Sequence, residues 1–331
     1  MDGVAEIPGG LCAAALSLGL CNGGWRDEFM TEPALMVGLG EVLWDVLPSG
    51  RVLGGAPANF AYMATVLGDQ GIVASRVGND DLGQEACRAM QELGLSTAYL
   101  QHDQRHETGT ATVSIDAAGQ PNFTIKKPVA WDFLDWTPQW EELSAKADVV
   151  CFGSLAQRSE KSAATIERFL RNTRKNTLRI CDVNLRESFY SPGLLRRSFQ
   201  HADIVKLNDQ ELLQVSYLFK LGIGTHEMLA QRLLQLCDLQ LVCVTCGSRG
   251  SLLVTQREAV AHKGFRVTVA DAVGAGDAFT ACLAHHYHRR HSLQEISTSA
   301  NRFASWVATQ RGATPPITND KLQSIFNGVR S

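Results

Sequence analysis

The chain has 331 residues, the length of one large α/β domain with a small appendage or of two modest domains. Apolar residues make up 45% of it and charged residues 20%, an ordinary globular composition with enough apolar surface for a sizeable core. The formal net charge of −3 argues against a nucleic-acid-binding surface, which is usually strongly basic, and no window of the sequence approaches transmembrane length.

The nine cysteines are spread along the chain, and most of them lie in apolar runs. A secreted disulfide scaffold would show them as a dense, regular framework, so we expect reduced thiols in the core of a cytoplasmic protein. The C-x-x-C formed by Cys243 and Cys246 lies in an apolar strand pattern rather than at a helix N-terminus. That position favours a structural role over a redox role.

Residues 1–34 differ from the rest of the chain. The stretch LCAAALSLGLC (11–21) is apolar, but no Lys or Arg precedes it and it is too short to span a bilayer. Met30 and Met36 both lie beside the first convincing strand. We expect residues 1–34 to be a poorly ordered leader of uncertain origin rather than a signal peptide, and residues 35–331 to form the main domain.

Strand-like and helix-like patterns alternate along most of the chain. ALMVGLGEV (34–42) has the pattern of a buried strand, and NFAYMATVLG (59–68) and DLGQEACRAMQELG (81–94) have helical spacing. Four later segments each show an apolar, β-rich run followed by a small or polar residue: DVVCFGS (148–154), LRICDVN (178–184), ADIVKLN (202–208) and LQLVCVTCG (239–247). This alternation predicts an α/β fold with a doubly wound, mostly parallel sheet and helices on both faces, where ligands gather at the carboxyl ends of the strands.

One region breaks the alternation. TGTATVSID (108–116) and PNFTIKK (121–127) alternate in period two around a Gly-containing turn, with no crossover helix between them. Together with VLPSGRVL (46–53) they predict a small antiparallel sheet beside the main one. We expect a β lid built from segments at about 43–54 and 107–128, of a kind that excludes water from a site.

The stretch ADAVGAGDAF (270–279) places Gly274, Ala275 and Gly276 directly before Asp277, where a helix begins. Small residues let a ligand approach the backbone, and a helix start directs free N–H groups toward it, which suits a phosphate. A carboxylate beside such an anion site makes sense if it takes a proton from the nucleophile that attacks the phosphate. The alternative is that Asp277 only caps the helix.

A second glycine-rich segment is VLGGAPANFAY (52–62), which follows Asp45 in GEVLWD. Gly54 and Gly55 permit close approach of a ligand, and Asn59 can both donate and accept hydrogen bonds. These groups suit the hydroxyls of a sugar. The alternative is a loop in which Asn59 is a helix N-cap.

Two further motifs each have a structural and a functional interpretation. In KLNDQELLQ (206–214), Asn208 and Glu211 are either a capping pair or an oxygen-rich patch for hydrated Mg²⁺. In VTCGSRGSLLV (244–254), Gly247 and Gly250 flank either a plain hairpin turn or a nucleotide-binding rim, with Arg249 close to phosphate.

Two charged segments have no partner motif in the sequence. Arg186 in CDVNLRESFY (181–190) is either a forked donor to an anion or a solvated surface residue. The histidine-rich HHYHRRH (285–291) lies at the end of a helical pattern, where cations are favourable, and no second cluster of ligands supports a metal there.

From Val37 to about Thr314, these motifs in this order resemble the ribokinase/PfkB family of carbohydrate kinases. GGAPANFA (54–61) is similar to the N-terminal signature of the family, and DAVGAGDAF (271–279) is similar to its C-terminal signature. That second signature usually carries Thr where this chain has Ala272 or Val273. NDQE (208–211) resembles the N-x-x-E of the family, and TCGSRG (245–250) resembles its nucleotide turn.

The resemblance implies ATP-dependent phosphorylation of a sugar hydroxyl, with Asp277 as general base. The amides of Gly274, Ala275, Gly276 and Asp277 would form an anion hole around the transferring phosphoryl group. The remaining implied residues are Asp45, Gly54, Gly55, Asn59 and Arg186 for the sugar, Asn208, Thr245, Gly247, Arg249, Gly250 and Asn301 for ATP, Asn208 and Glu211 for Mg²⁺ through water, and Asp271, Val273 and Gly312 for a monovalent cation such as K⁺.

The substrate expected from the resemblance is D-fructose, phosphorylated to fructose 6-phosphate, because GGAPANFA and GEVLWD look most like the fructokinase branch. Ala56 and Pro57 stand where ribokinases usually carry a Lys, which leaves no cation there for a phosphate or acid group. Lys126 and Lys127 could reach a carboxylate, so 2-keto-3-deoxygluconate stays an alternative beside ribose. A catalytically silent, sugar-sensing relative is an alternative of another class. A dinucleotide-binding dehydrogenase is rejected, because this sequence lacks the glycine fingerprint of that class.

The expected partners are therefore small molecules, a sugar and ATP, with neither nucleic acid nor a membrane. Relatives form dimers through the lid, and TGTATVSI (108–115) offers apolar positions on one face. A homodimer through the lid is therefore left open.

Overall fold

The computed structural model describes residues 32–47, 50–115 and 121–327. The expectation for the leader falls almost entirely outside these residues, so the division into a leader and a main domain stays a prediction. From Pro33 onward the described residues group into one unit. None of the helices in the described ranges has both the length and the apolar character needed to cross a membrane.

Strands and helices alternate along the chain, as the sequence predicts. The strands are β1 Leu35–Leu39, β2 Leu43–Leu47, β3 Gly50–Gly54, β4 Gln70–Gly78, β5 Leu100–Asp103, β6 Gly109–Ile115, β7 Pro121–Ile125, β8 Val149–Gly153, β9 Leu178–Asp182, β10 Ile204–Asn208, β11 Leu241–Thr245, β12 Ser251–Val254 and β13 Ala259–His262. The helices are α1 Ala56–Val66, α2 Asp81–Glu92, α3 Pro138–Lys146, α4 Glu160–Asn172, α5 Pro192–Gln200, α6 Asp209–Phe219, α7 His226–Cys237, α8 Ala275–His288, α9 Leu293–Ala308 and α10 Asn319–Asn327.

A nine-stranded sheet carries the fold, in the order β13-β12-β11-β10-β9-β8-β1-β4-β5. The seven strands from β11 to β5 pair in parallel, and β12 and β13 add antiparallel strands at one edge. The strand β8 is buried over most of its length, as expected for a parallel strand covered on both faces. The predicted doubly wound, mostly parallel α/β fold is confirmed.

The direction of winding reverses between β1 and β8. From β1 the chain continues through β4 to β5 on one side, and from β8 through β9 to β11 on the other. In open α/β sheets the ligand cleft lies at such a switch point, outside the carboxyl ends of the strands. Large apolar side chains fill the core beneath it, and the fully buried ones include Trp131, Trp140, Phe60, Phe152 and Phe169.

The small second sheet has the order β3-β2-β6-β7. The hairpins β2/β3 and β6/β7 are antiparallel, but β2 and β6, which join them, pair in parallel. The predicted lid sheet is thus present, but it is a mixed sheet rather than an antiparallel one, because its central pair is parallel. Gly109 permits this arrangement at the base of β6, because a side chain there would collide with the indole of Trp131.

Two helices begin differently from most of the others. Helices α2 to α7 and α9 each begin at a residue whose side-chain oxygen accepts a backbone N–H of the first turn. By contrast, α1 begins at Gly55 and α8 at Gly274, and neither has a side-chain cap. The φ angles of 110° at Gly55 and 76° at Gly274 are in the region that glycine adopts without strain.

Candidate active site

A small cleft lies at the switch point, between the N-terminal halves of α1 and α8 and the carboxyl ends of β8 and β9. Its lining includes Pro57, Phe60, Gly153, Asp182, Asp277 and Thr280. The two glycine-rich segments singled out in the sequence therefore meet here, although they are more than 200 positions apart, as the separation of 218 between Asn59 and Asp277 shows.

Asp277 lies in the first turn of α8, and its side chain does not cap the helix. Its Oδ2 accepts a hydrogen bond of 2.7 Å from Nδ2 of Asn59, a buried residue of α1. No side-chain cap hydrogen bond is present at the start of α8, and Asn59 lies inside α1 rather than at its N-cap. Both capping alternatives for these residues are therefore wrong.

The carboxyl group of Asp277 is unusually basic. Burial raises its pKa to about 6, and the nearby charge of Asp182 adds to the increase. The Asn59 hydrogen bond and the charges of Lys206 and Arg186 oppose it. A carboxylate with this pKa is still ionised at neutral pH and is a better proton acceptor than an exposed Asp.

The first turn of α8 presents amides without acceptors. The N–H of Ala275 donates to the carbonyl of Ala272 at 3.3 Å, so one of the four amides predicted for the anion hole is already engaged. No acceptor among the described residues bonds the N–H groups of Gly274, Gly276 and Asp277. Gly274 is required here, because a Cβ at this residue would lie 2.6 Å from both Cα and the carbonyl oxygen of Ala313.

A buried ion pair that the motif analysis missed lies beneath this turn. Nζ of Lys206 is 3.0 Å from both carboxylate oxygens of Asp182, and Oγ1 of Thr280 donates to the same carboxylate at 2.8 Å. A Cβ on Gly276 would be 3.2 Å from Nζ of Lys206. Burial alone would lower the pKa of Lys206, but the charges of Asp182, Glu211 and Asp277 outweigh it and hold the pKa above its ordinary value. The sequence signal was a charged residue inside each of two apolar strands.

Asn208 and Glu211 form a complete capping box at the start of α6. Oδ1 of Asn208 accepts the N–H of Glu211 at 2.8 Å, and Oε2 of Glu211 accepts the N–H of Asn208 at 2.8 Å. The second Glu211 oxygen accepts the N–H of Leu185, also at 2.8 Å. The structural interpretation of this motif is confirmed, and any bond to a metal ion would use the remaining lone pairs.

The residues expected at the sugar surround the start of α1. A Cβ on Gly54 would collide with the carboxylate of Asp45, and one on Gly55 would lie 2.5 Å from the carbonyl oxygen of Glu41. Burial raises the pKa of Asp45, and the charge of Arg186 opposes the increase. The guanidinium of Arg186 is exposed and donates to the carbonyl of Leu185 at 3.0 Å.

The residues expected at the nucleotide lie on the other side of α8. Thr245 ends β11 in register with Asn208, and Gly247 and Gly250 follow at φ angles of 57° and 88°. Arg249 is exposed and forms an ion pair with Asp209. Asn301 is buried, and its side-chain amide donates to Oγ of Ser251 and to the carbonyl of Ser297, each at 2.7 Å.

The residues expected at a monovalent cation are joined by one carboxylate. Oδ1 of Asp271 accepts the N–H of Val273 at 3.0 Å, and Oδ2 accepts the N–H of Gly312 at 3.1 Å. Asp271 therefore connects the loop before α8 with the loop after α9. In the histidine-rich segment, His285 forms a hydrogen bond of 2.7 Å with Asp69. The described part of the chain holds no cluster of three or more potential metal ligands.

The two lid lysines have different kinds of partner. Nζ of Lys126 pairs with Glu107 at 2.7 Å, and Nζ of Lys127 lies 4.8 Å from the ring centre of Phe189.

A second missed residue, Glu41, lies between β1 and β2 with only 3% of its surface exposed. Burial raises the pKa of Glu41 to about 7, and the charges of Arg186 and Arg158 oppose the increase.

Known proteins with similar sequences and folds are sugar kinases. The model of the pfkB family of carbohydrate kinases matches residues 46–320. A fructokinase from Escherichia coli is 32% identical over 74% of this chain and 81% of its own length, and one from Vibrio alginolyticus is 28% identical over 83% and 92%. An uncharacterized sugar kinase from Pyrococcus horikoshii, solved with ATP, is 25% identical with a TM-score of 0.73 over 88% of this chain and all of its own. At 22% identity, a fructokinase from Xylella fastidiosa with bound ATP shares the fold, with a TM-score of 0.77 over 89% and 98%.

Proposed function

This chain belongs to the pfkB family of carbohydrate kinases, which are ATP-dependent phosphotransferases, and we propose that it transfers the γ-phosphoryl group of ATP to the 6-hydroxyl of D-fructose. The observation that carries the proposal is the hydrogen bond of 2.7 Å between Asn59 and Asp277. It joins a basic carboxylate of α8, the helix proposed to face the phosphate, to α1, which follows the loop proposed to face the sugar.

In the proposed reaction Asp277 removes the proton from the sugar hydroxyl as its oxygen attacks the γ-phosphorus and the bond to the β-phosphate oxygen breaks. The free amides of Gly274, Gly276 and Asp277 would bind the phosphoryl oxygens, where negative charge develops in the transition state. The Lys206–Asp182 pair would support this turn, since Nζ of Lys206 would lie 3.2 Å from a Cβ placed on Gly276. Asp45, Gly55, Asn59 and Arg186 would orient the sugar.

The donor set at the start of α6 fits hydrated Mg²⁺ better than a directly bound ion. Both Glu211 oxygens already accept a backbone N–H, and a water of the metal's shell needs only one further lone pair. When bound with ATP, Mg²⁺ neutralises charge on the phosphates. Thr245, Gly247, Arg249 and Gly250 would border the nucleotide, and Asn301 would support that border through Ser251.

The Asp271 carboxylate and the Val273 and Gly312 segments also fit a K⁺ site. Each carboxylate oxygen accepts one N–H and keeps lone pairs for a cation, which would tie together the two loops that flank the anion hole. We propose this site as an aid to the geometry of the turn rather than as a participant in the transfer.

Fructose is favoured over a sugar acid because the lid leaves at most one lysine open to a carboxylate. Lys126 is paired with Glu107, whereas Lys127 lies over the ring of Phe189 and has no ion pair among the described residues. The fructokinases from Escherichia coli and Vibrio alginolyticus among the relatives support the same choice. The free thiols of Cys87, Cys151, Cys181, Cys237, Cys243 and Cys246 among the described residues are consistent with the proposed cytoplasmic location. A homodimer through the lid is also proposed, since Leu47 and Val52 are exposed on β2 and β3.

The proposal is tested by incubating the full chain with MgATP and a panel of fructose, ribose, 2-keto-3-deoxygluconate and nucleosides. We expect ADP release with fructose and a product whose phosphate is assigned to C6 by NMR. Turnover with ribose or 2-keto-3-deoxygluconate and none with fructose would show that fructose is not the substrate. Sugar binding by calorimetry without ADP release would instead support the silent, sugar-sensing alternative.

A further inference from the structure

Two buried polar side chains outside the lining of the cleft, Glu41 and Arg158, have atoms without partners. Oε2 of Glu41 and Nη1 of Arg158 are both shielded from solvent, and neither forms a hydrogen bond with any described residue. Glu41 is 3% exposed, and the side chain of Arg158 is 4% exposed. Buried acceptors and donors are paired in the great majority of cases, so two orphans of opposite kind call for a common explanation.

Arg158 is held firmly everywhere except at Nη1. Its Nε and Nη2 each donate to the carboxylate of Asp132 at 2.8 Å, and Nη2 also donates to the carbonyl of Lys126 at the end of the lid strand β7. The guanidinium lies 3.9 Å from the ring centre of Trp131 and 4.7 Å from that of Phe189. The remaining N–H groups therefore have a fixed direction.

Glu41 is located on the sugar side of the cleft. Its carbonyl oxygen contacts the backbone of Gly55, and the charged groups that act on its carboxyl are Arg186, Asp277 and Arg158. Within the described ranges, no ion pair of 4.0 Å or less joins Glu41 to either arginine. The two chain segments lie against each other, since a Cβ on Gly40 would be 3.4 Å from Cβ of Ala156, and the charge of Arg158 acts on the Glu41 carboxyl without a direct ion pair.

A sugar hydroxyl satisfies both orphans at once, since it donates one hydrogen bond and accepts others, and a buried water is the competing occupant. A carboxylate would suit Arg158 but would face the charge of Glu41. We propose that Glu41 and Arg158 together bind a hydroxyl of the acceptor, with Glu41 Oε2 accepting and Arg158 Nη1 donating, and thereby select neutral polyols over sugar acids. This inference rests on the proposed function and names two specificity-determining residues for it.

The test compares the wild-type chain with Glu41→Gln and Arg158→Lys, using calorimetric binding and steady-state kinetics with fructose and with 2-keto-3-deoxygluconate. We expect each change to raise Kd and KM for fructose about tenfold or more, with kcat changed only a few-fold, because a hydrogen bond to a charged group is lost. Glu41→Gln should also narrow the preference for fructose over the sugar acid. That change in the ratio is an effect that looser folding alone would not give.

Asp69→Asn is the matched control. Asp69 is a buried carboxylate paired with His285 and Arg289, directly before β4 and so at the amino edge of the sheet, opposite the cleft. This variant should lose thermal stability and keep the wild-type Kd and substrate ratio. If Glu41→Gln does not fold by circular dichroism, Arg158→Lys tests the same pair from the other side.

Unchanged Kd, KM and substrate ratio in both folded variants would overturn the inference and assign the two atoms to a buried water. A wild-type chain that neither binds nor phosphorylates any sugar of the panel would overturn the proposed function, and this inference with it. The two failures are distinct, because the first leaves the wild-type enzyme active.

Discussion

Among the described residues, helices of this protein begin in two ways, with a side-chain cap or without one. Seven of the helices in the described ranges, among them α2, α6 and α9, start at Asp, Asn, Ser or Thr caps that satisfy the first-turn amides. The helices α1 and α8 start at Gly55 and Gly274 without a side-chain cap. These two flank the cleft, and their open N-termini face the place where the phosphates and the sugar would lie.

The comparison teaches that a missing cap can be a functional feature. A side-chain cap at α8 would fill the space that an anion needs and would neutralise the amides that bind it. Without a cap, the N–H groups of Gly274, Gly276 and Asp277 have no acceptor among the described residues, which costs folding free energy. The capped helices carry no such cost, so a change at a capped start away from the cleft should lower stability, whereas a change at the start of α8 should lower activity.

The largest effect is expected for Asp277→Asn in α8. The amide keeps the shape of the side chain but cannot take the proton of the hydroxyl, so kcat should fall by about a thousandfold while ATP still binds. Coupled assays of ADP release and calorimetric titration with ATP would measure the two quantities. Turnover within about tenfold of wild type would remove Asp277 from the role of general base.

A smaller but still large loss is expected for Gly274→Ala at the N-cap of α8. The new Cβ would lie 2.6 Å from Cα of Ala313 on a backbone at φ 76°, so the turn must shift and the amides must move from the phosphoryl oxygens. Loss of one such donor typically lowers kcat by 10²–10³, so we expect a fall of about a hundredfold. Steady-state kinetics would detect it, and an unchanged kcat would show that the turn does not bind the phosphate.

The pH dependence tests the same helix start without a mutation. The pKa of Asp277, raised to about 6 by burial and by Asp182 of β9, is also set by Asn59 of α1, Lys206 of β10 and Arg186. The base must be ionised, so kcat/KM should be level above about pH 6 and fall toward tenfold per pH unit below it. A profile that stays flat from pH 5 to 7 would contradict the assignment.

The smallest effect is expected at a capped helix. Ser292 accepts the N–H of Glu295 at the start of α9, on the surface of the protein. Ser292→Ala should lower the free energy of unfolding by about 1 kcal/mol and leave kcat and KM unchanged. Urea titration and the kinetic assay together check both halves, and a large loss of activity here would erase the distinction between the two classes of helix start.

Local patterns predicted the sheet, the lid segments and the turn before Asp277, because each depends on residues that are neighbours in the sequence. The direction of the β2–β6 pairing could not be predicted, since period-two alternation gives a strand but not its partner. The capping box of Asn208 and Glu211 was visible as a pattern. The free amides could not be counted in advance, because the bond from Ala275 to Ala272 depends on the conformation of the turn.

The missed residues share one physical reason. Lys206 and Asp182 pair because β9 and β10 are neighbours in the sheet, and Glu41 comes under the influence of the Arg158 charge only after the chain has folded. Each is a charged residue in or directly after an apolar run, and burying it is favourable only with a partner that the sequence does not identify. Such residues are therefore worth marking as functional candidates even when no motif contains them.

The bond between Asn59 and Asp277 joins residues 218 positions apart. A nascent or shortened polypeptide that stops before α8 would hold the sugar-facing loop and nothing able to activate a hydroxyl. Phosphoryl transfer would thus be possible only after α8 has been synthesised, and a shorter fragment would not transfer phosphate from ATP.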